Sequence, residues 1–235
     1  MNFTVLTLYP EAFPGTLGLS IAGRSIGSKW NLDIVNLRDY GLGKHKQVDD
    51  AVYGGGSGML MRPDVIGHAL EDCLRDKTPP LILLTSPSGI TFNQKIATSI
   101  SNSKRDIIII CGRFEGVDCR VVEYFNILQV SIGNFVVFGG EVVAMCIMES
   151  IIRLQDGVCG NGESITEESF AVGTEFENLM EYPQYTRPHM WNGIKVPSIL
   201  RSGHHAQIKQ WRLEEAQNVT KFSVKQQSKI NTCKF

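Results

Sequence analysis

The sequence lacks the signatures of several large classes of protein. Its six cysteines form no CxxC pair, and its first residues do not have the cationic and then apolar pattern of a secretory signal. We therefore expect a cytoplasmic protein with reduced thiols. The most apolar stretch, 136–148, is interrupted by two glycines and a glutamate and is shorter than the roughly 18 residues of a membrane span. No membrane partner is expected.

Two phosphate-binding signatures are also missing. A P-loop needs Gly-Lys-Ser/Thr, but the Gly43-Lys44 pair is followed by His45. No GxGxxG follows the first predicted strand, so a dinucleotide site of the Rossmann type loses its main support. Neither the histidines nor the cysteines have metal-ligand spacing, and no metal site is expected.

The composition is that of a globular chain, but its charge is unevenly distributed. Of the 235 residues, 43% are hydrophobic and 20% charged, which is enough apolar material for a packed core. Residues 1–160 carry 14 Lys and Arg against 16 Asp and Glu, 161–182 carry none against 6, and 183–235 carry 9 against 2. We expect a near-neutral body, an acidic interdomain linker and a basic tail domain. Such a tail can bind phosphates by counterion release, although charge alone also fits a solubilising surface.

Short apolar runs alternate with helical patterns in the body, which predicts an α/β domain with a mostly parallel sheet. Helices are predicted to begin at Pro63, after Asn93 and near Gly140, and the tail is predicted to be mainly helical from Ala206. The predicted strands are Phe3–Leu8, Leu32–Leu37, Leu81–Thr85, Asp106–Cys111 and Ile127–Ser131.

Three glycine-rich segments occur in the body, at 53–59, 111–116 and 131–141. Two of them directly follow predicted strands, at the sheet edge where α/β proteins bind ligands. Glycine lets backbone amides and carbonyls approach a flat ligand, because no Cβ stands in the way. For any one loop taken alone, glycines that merely make turns are the alternative.

A set of short motifs spreads over nearly the whole chain and is specific as a set. The motifs are Tyr9-Pro10-Glu11-Ala12-Phe13, Val48-Asp49-Asp50, Tyr53 to Met61, Ser86-Pro87, Cys111 to Gly116, Ser131-Ile132-Gly133, Gly139-Gly140-Glu141, Tyr185-Thr186-Arg187-Pro188, Val196-Pro197, Leu200 to Ala206 and Trp211-Arg212. With them the chain resembles the bacterial tRNA (guanine-N1)-methyltransferases of the knotted SPOUT superfamily.

This resemblance implies a fold, an assembly and an activity. The fold is an α/β domain whose mostly parallel sheet ends in a C-terminal trefoil knot, followed by a small helical domain that binds tRNA. The assembly is a homodimer with the active site at the subunit interface. The activity is transfer of a methyl group from S-adenosyl-L-methionine to N1 of the guanosine immediately 3′ of the anticodon, which supports reading-frame maintenance. The resemblance also suggests that Mg²⁺ can assist without a dedicated protein cage.

The resemblance assigns a set of residues to S-adenosylmethionine. Backbone groups would bind the adenine, while Leu84, Phe135 and Val137 would supply apolar walls. Glu115 would hydrogen-bond an amino or hydroxyl group; a surface salt bridge is its alternative. The full set is Leu84, Ser86, Pro87, Gly112, Glu115, Ile132, Gly133, Asn134, Phe135, Val136, Val137, Gly139 and Gly140.

The chemistry needs a base, because guanine N1 carries a proton at neutral pH and must lose it as the methyl group arrives. In the family this base is an aspartate in a Ser-x-x-x-Asp-Ser-Phe context, where this sequence has Glu168. Glutamate keeps the carboxylate but adds one methylene; Glu167 is the less favoured base. A solvated acidic linker is the alternative for both. Arg153 would stabilise charge on guanine O6, or else pair with a helix C-terminus.

The resemblance also assigns substrate contacts. The glycine-rich loop would close on the target base, and Ser164 would contact the substrate. Exposed residues of the basic tail would bind tRNA, although Trp211 in this tail also fits a core position and His205 a helix cap. The residues assigned to substrate are Gly54, Gly55, Gly56, Gly58, Met59, Ser164, Arg187, Arg201 and His205.

Three other functions stay open at this point. A related SPOUT enzyme could act on another RNA site, and an RNA-binding relative could have lost catalysis, as the glutamate at Glu168 would allow. A nucleotide-binding α/β regulator without an RNA partner is the third, and it predicts no salt-dependent affinity for tRNA.

Overall fold

The computed structural model describes residues 1–75, 79–160 and 166–232. For residues 227–232 it describes the backbone only. The chain divides into two compact units, Met1–Gly160 and Asn161–Phe235. The functional roles expected for the body, the acidic segment and the tail stay predictions. In the part of the chain that is described, no helix is both long enough and apolar enough to cross a membrane.

The first unit is built on a five-stranded parallel sheet in the order β2-β1-β6-β5-β7. All five predicted strands are present, which confirms an α/β fold with a mostly parallel sheet. The strands are β1 (Asn2–Thr7), β2 (Asn31–Asn36), β5 (Leu81–Thr91), β6 (Ile107–Ile110) and β7 (Leu128–Ser131), with a separate antiparallel pair of β3 (Asp49–Ala51) and β4 (Met59–Met61).

The helices of this unit begin where the local sequence favours a start. Pro63 occupies a first-turn position, where its missing N–H costs nothing, and the Asn93 side chain accepts a hydrogen bond from the Ile96 amide at 3.0 Å. Both starts agree with the prediction. The helices are α1 (Ser20–Arg24), α2 (Pro63–Leu74), α3 (Gln94–Ser103), α4 (Cys119–Tyr124) and α5 (Glu141–Ile152), and 3-10 turns cover Pro10–Ala12, Gly15–Gly18 and Leu37–Tyr40.

Both faces of the sheet are buried, as expected when helices cover a parallel sheet on both sides. In β6, Ile107 and Ile109 pack with α3 and α5 on one face, while Ile108 and Ile110 pack with α2 and α4 on the other. All four are at most 2% exposed. Burial of each such side chain stabilises the fold by about 1.5–3 kcal/mol. This central strand therefore holds the carboxyl edge of the sheet firmly in place.

Strand β5 continues six residues beyond its predicted end at Thr85. It pairs with β7 through Leu83 to Thr85 and again through Ile90 and Thr91, with a shift of register between the two stretches. Pro87, which has no N–H to donate, falls in the interval without ladder pairing. This irregular interval turns Ser86 to Ser88 away from the regular ladder at the carboxyl edge of the sheet.

The second unit packs around the long final helix, α6 (His205–Thr232). Its core contains Ala171, Phe176, Tyr182 and Ala216, with Trp211 packed against them. The core role considered for Trp211 is thereby confirmed. Residues 166–182, the described part of the predicted linker, contribute Ala171, Phe176 and Tyr182 to this core, although Phe170 and Val172 are exposed. A short hairpin of β8 (Met190–Trp191) and β9 (Ile194–Lys195) and a 3-10 turn (Ser198–Arg201) complete the unit.

Candidate active site

A cavity of about 480 Å³ opens at the carboxyl ends of β5, β6 and β7 in the first unit. The loops that follow these three strands form its walls. Its volume lies within the range of ordinary small-molecule sites, about 300–1,000 Å³. Its location agrees with the general rule for ligand sites in parallel α/β sheets.

Twelve of the thirteen residues assigned to the cofactor line this cavity. Asn134 does not; its neighbours form a tight turn in which the Phe135 amide donates to the Gly133 carbonyl at 3.0 Å, and Asn134 is exposed. That these residues bind a cofactor stays a prediction. The twelve are Leu84, Ser86, Pro87, Gly112, Glu115, Ile132, Gly133, Phe135, Val136, Val137, Gly139 and Gly140.

One buried hydroxyl joins the loops of the cavity. Thr85 Oγ1 accepts a hydrogen bond from the Gly112 amide at 3.0 Å and donates to the Ile110 carbonyl at 3.3 Å. The Gly140 amide in turn donates to the Gly112 carbonyl at 2.9 Å. A Cβ on Gly140 would overlap with Thr85 Oγ1, so glycine is required for this close approach.

Thr85 was missed by the sequence analysis. The signal in the sequence was a polar residue at the end of a run of leucine and isoleucine, where a buried hydroxyl needs a partner at the carboxyl edge of the sheet. Thr85 is only 6% exposed.

A buried carboxylate stabilises one wall of the cavity through Arg113, which lines it. Glu141, at the start of α5, has a side chain only 4% exposed; its Oε1 accepts from Thr7 Oγ1 at 2.8 Å and from Arg113 Nε at 3.2 Å. Arg113 completes an ion pair with Glu141 at 2.8 Å, donates to the Phe138 carbonyl at 3.3 Å and lies over the Tyr9 ring. The guanidinium therefore links β1, α5 and the loop that follows β7.

Burial, together with the nearby Glu141 carboxylate, raises the pKa of the Cys111 thiol well above its usual range. The thiol therefore stays protonated at neutral pH. A thiol in this state is a poor nucleophile, since the reactive form of cysteine is the thiolate. Cys111 thus contributes packing beneath the cavity rather than chemistry.

The glycine-rich loop before β4 adjoins the cavity at Glu115. A Cβ on Gly58 would overlap with the Glu115 side chain, and Gly58 has a φ of +92°, a left-handed value that favours glycine. The Glu115 amide donates to the Met59 carbonyl at 2.9 Å. The loop tip at 54–56 is exposed and has open space around it. The structure thus places Gly58 and Met59 next to Glu115, which lines the cavity, whereas Gly54, Gly55 and Gly56 are exposed.

Arg153 lies at the opposite end of α5 from the cavity. Gly140, which precedes the helix, lines the cavity, whereas Arg153 directly follows its last residue, Ile152. Twelve helical residues span about 18 Å. Within one chain Arg153 is therefore far from the cavity, although its position at the end of this helix agrees with the expectation.

The remaining candidates lie in the second unit. Glu168 is half-buried, and its carbonyl accepts a hydrogen bond from the Ala171 amide at 3.3 Å. Arg187, Arg201 and His205 are exposed, the last as the first residue of α6. Ser164 lies outside the described residues.

The basic charge of the second unit is partly paired. Lys209 forms an ion pair with Glu175 at 3.1 Å, and Arg212 forms one with Glu167 at 2.8 Å. On the β8–β9 hairpin, Trp191 is 66% exposed. An exposed tryptophan among cationic side chains is typical of surfaces that bind single-stranded nucleic acid.

The described residues do not fit a protein-built metal site. Over 1–75, 79–160 and 166–232, no group of three His, Cys, Asp or Glu side chains is arranged to hold a metal ion.

Glycine loops that converge on a cavity at the carboxyl edge of a parallel sheet are typical of α/β proteins that bind small molecules. The model of the family described as tRNA (Guanine-1)-methyltransferase TrmD matches residues 1–228. The chain belongs to this family.

Several relatives named tRNA (guanine-N(1)-)-methyltransferase are similar over 94% of the chain. The protein from Wolbachia pipientis subsp. Culex pipiens is 46% identical over 221 residues, covering 94% of the relative. That from Rickettsia prowazekii is 44% identical over 222 residues, again covering 94%. That from Ehrlichia canis is 42% identical over 222 residues, covering 92%.

Proposed function

We propose that this protein transfers a methyl group from S-adenosylmethionine to N1 of the guanosine immediately 3′ of the tRNA anticodon. The observation that carries the proposal is the glycine-lined cavity, found in a chain that belongs to the tRNA (guanine-1)-methyltransferase family. The reaction supports reading-frame maintenance. Because tRNA is used in translation, the site of action is the cytoplasm.

The residues around the cavity fit S-adenosylmethionine. Gly112 and Gly140 let the loops around the cavity approach one another closely, because a Cβ at either position would overlap with Thr85. Leu84, Phe135 and Val137 supply apolar surface, and the Glu115 carboxylate suits an amino or hydroxyl group. When bound, S-adenosylmethionine supplies an electrophilic methyl group.

The chain supplies the proton acceptor. The N1 proton of guanine must leave as N1 attacks, and we assign its acceptance to the Glu168 carboxylate. Arg153 offsets the negative charge that develops on O6 as N1 is deprotonated. The extra methylene of glutamate changes the reach of the base but not its chemistry.

A homodimer reconciles these roles with the distances in one chain. Arg153 lies about 18 Å along α5 from the cavity, so a second copy is needed to bring an arginine to the reacting base. The cavity lining includes exposed apolar side chains: Phe138 is fully exposed, Val136 83% and Phe135 55%. Contiguous apolar surface of this kind is typical of subunit interfaces.

We further propose that the loops after β5, β6 and β7 are threaded as a trefoil knot. The hydrogen bonds from Gly140 to Gly112 and from Gly112 to Thr85 support this, because they hold the three loops in mutual contact. The basic tail of the second unit, 183–235, is proposed to bind tRNA through Arg187, Arg201 and His205, which are exposed.

The test is methylation of tRNA with labelled S-adenosylmethionine by the wild type, Glu168→Gln and Arg153→Ala. We expect product with the wild type, a large loss with both variants, and no product on tRNA in which the target guanosine is replaced by adenosine. Methylation of that altered tRNA would instead favour a SPOUT enzyme acting elsewhere. Binding of both ligands without product would favour a catalytically impaired relative.

A further inference from the structure

Glu167, the residue before the proposed base, is hydrogen-bonded to other residues of the second unit. Glu167 Oε2 accepts hydrogen bonds from an Arg212 guanidinium nitrogen at 2.8 Å and from the Tyr182 hydroxyl at 3.2 Å. The Arg212 guanidinium carbon also lies 5.0 Å from the centre of the Tyr182 ring. We call these three side chains the Glu167 anchor.

The Glu167 anchor packs against the buried core of this unit. Tyr182 is 6% exposed and contacts the rings of Phe176 and Trp211, and burial raises the pKa of its phenol. Arg212 belongs to α6, next to Trp211. The carboxylate of Glu167 is therefore joined to the core and to the longest helix of the unit.

The residues that follow the proposed base are held as well. The Ser169 hydroxyl accepts from the Glu181 amide at 2.8 Å, and the Phe170 amide donates to the Leu179 carbonyl at 2.9 Å. Glu168 thus lies between two residues whose polar groups are fixed by the same unit. Such support limits the positions that the backbone at Glu168 can take.

We infer that the Glu167 anchor positions Glu168, so that Glu167, Tyr182 and Arg212 are positioning residues for proton removal from guanine. This inference rests on the proposed function. The Glu167 carboxylate is held in place because a guanidinium and a phenol both donate to one of its oxygens. Precise placement matters, because an error of about 1 Å in a reacting group can slow a reaction 100-fold.

The chain contains a matched control for the anchor. Glu175 lies in the same segment and pairs with Lys209 of the same helix at 3.1 Å, but it is separated from Glu168 by six intervening residues. Glu175→Gln removes an ion pair of the same kind and should leave the methylation rate unchanged.

The experiment measures the single-turnover methylation rate at saturating tRNA and S-adenosylmethionine, together with tRNA affinity and melting temperature. We expect Glu167→Gln to slow methyl transfer roughly 10- to 100-fold with tRNA affinity unchanged. Tyr182→Phe removes one hydrogen bond but keeps the packed ring, and it should slow transfer about fivefold. The paired exchange Glu167→Arg with Arg212→Glu should recover part of the rate, since it restores the ion pair in reverse.

The outcomes separate the anchor from the proposed function. If Glu167→Gln and Tyr182→Phe both react at the wild-type rate while Glu168→Gln is inactive, the anchor is refuted and the base assignment stands. If Glu167→Gln is inactive, the exchange recovers nothing and Glu168→Gln stays active, Glu167 is itself the base, and both the anchor and the assignment of Glu168 fail.

Discussion

At the scale of single residues, the decisive groups are small or polar and hold loops together. Thr85 and Gly140 connect the loops around the cavity, and Glu141 with Arg113 holds the wall that follows β7. Twelve of the residues that the resemblance assigns to the cofactor line the cavity, but Thr85 is not among them, because a hydroxyl that serves neighbouring backbone groups carries no motif of its own. Asn134 was assigned to the cofactor with its neighbours but does not line the cavity, and a sequence run cannot reveal which member of a tight turn is exposed.

Removing the Thr85 hydroxyl should destabilise the loops that form the cavity. Thr85→Val keeps the side-chain shape but leaves the Gly112 amide and the Ile110 carbonyl without this partner, at a cost of about 1–3 kcal/mol. We expect a lower melting temperature and roughly tenfold weaker S-adenosylmethionine binding by calorimetry.

Thr91→Val is the control for this change, since Thr91 lies on the same strand but is exposed. It should match the wild type in both measurements. Equal cofactor affinity in Thr85→Val and the wild type would remove Thr85 from any role in shaping the site.

At the scale of elements, the sequence predicted the parallel strands and main helices because their physical signals are local. Four consecutive isoleucines in β6 indicate a strand buried on both faces, and Pro63 and Asn93 mark helix starts. The continuation of β5 past Thr85 could not be predicted, since it depends on pairing with β7, a partner distant in sequence. The acidic segment 161–182 was predicted to be a linker from its charge, although Phe176 and Tyr182, in its described part, are buried in the core of the second unit.

The start of α4 gives a prediction about pH. The Asp118 side chain caps this helix by accepting from the Arg120 amide at 2.9 Å and pairs with the Arg120 guanidinium at 2.8 Å. The hydrogen bond to the Arg120 side chain lowers the pKa of Asp118, so its contribution to stability is present above about pH 4 and is lost as the pH falls through the folded-state pKa.

Asp118→Asn keeps a capping side chain without the charge. It should melt at a lower temperature than the wild type at pH 7, and the difference should shrink as the pH falls through the folded-state pKa of Asp118. Asp118→Ala, which also loses the cap, should be less stable than Asp118→Asn by about 1 kcal/mol across this range. A constant gap between wild type and Asp118→Asn across this range would contradict the ion-pair account.

At the scale of the whole molecule, the proposed reaction needs two copies of the chain. The cavity and the end of α5 are well defined within one unit, yet they are about 18 Å apart. The predicted start of this helix near Gly140 already implies the separation, because Arg153 follows the last helical residue. The proposed role of Arg153 therefore requires an active site shared between two copies.

Complementation tests the shared site. Gly140→Ala distorts the cavity, and Arg153→Ala removes the arginine that follows α5. Each variant alone should therefore be inactive. When the two are co-expressed with different tags, mixed dimers keep one site with neither defect, and total activity should reach about a quarter of the wild type. If the purified mixed species is as inactive as its parents, the site does not combine Gly140 of one copy with Arg153 of the other.

The most direct test of the account is the rate of methyl transfer by Glu168→Gln compared with Glu168→Asp under single-turnover conditions. Glutamine keeps the size of the side chain but cannot accept the N1 proton, so Glu168→Gln should be slower than the wild type by about 100-fold or more, with S-adenosylmethionine and tRNA affinities unchanged. Glu168→Asp keeps a carboxylate and should retain measurable transfer. A Glu168→Gln enzyme that methylates guanosine as fast as the wild type would contradict the account.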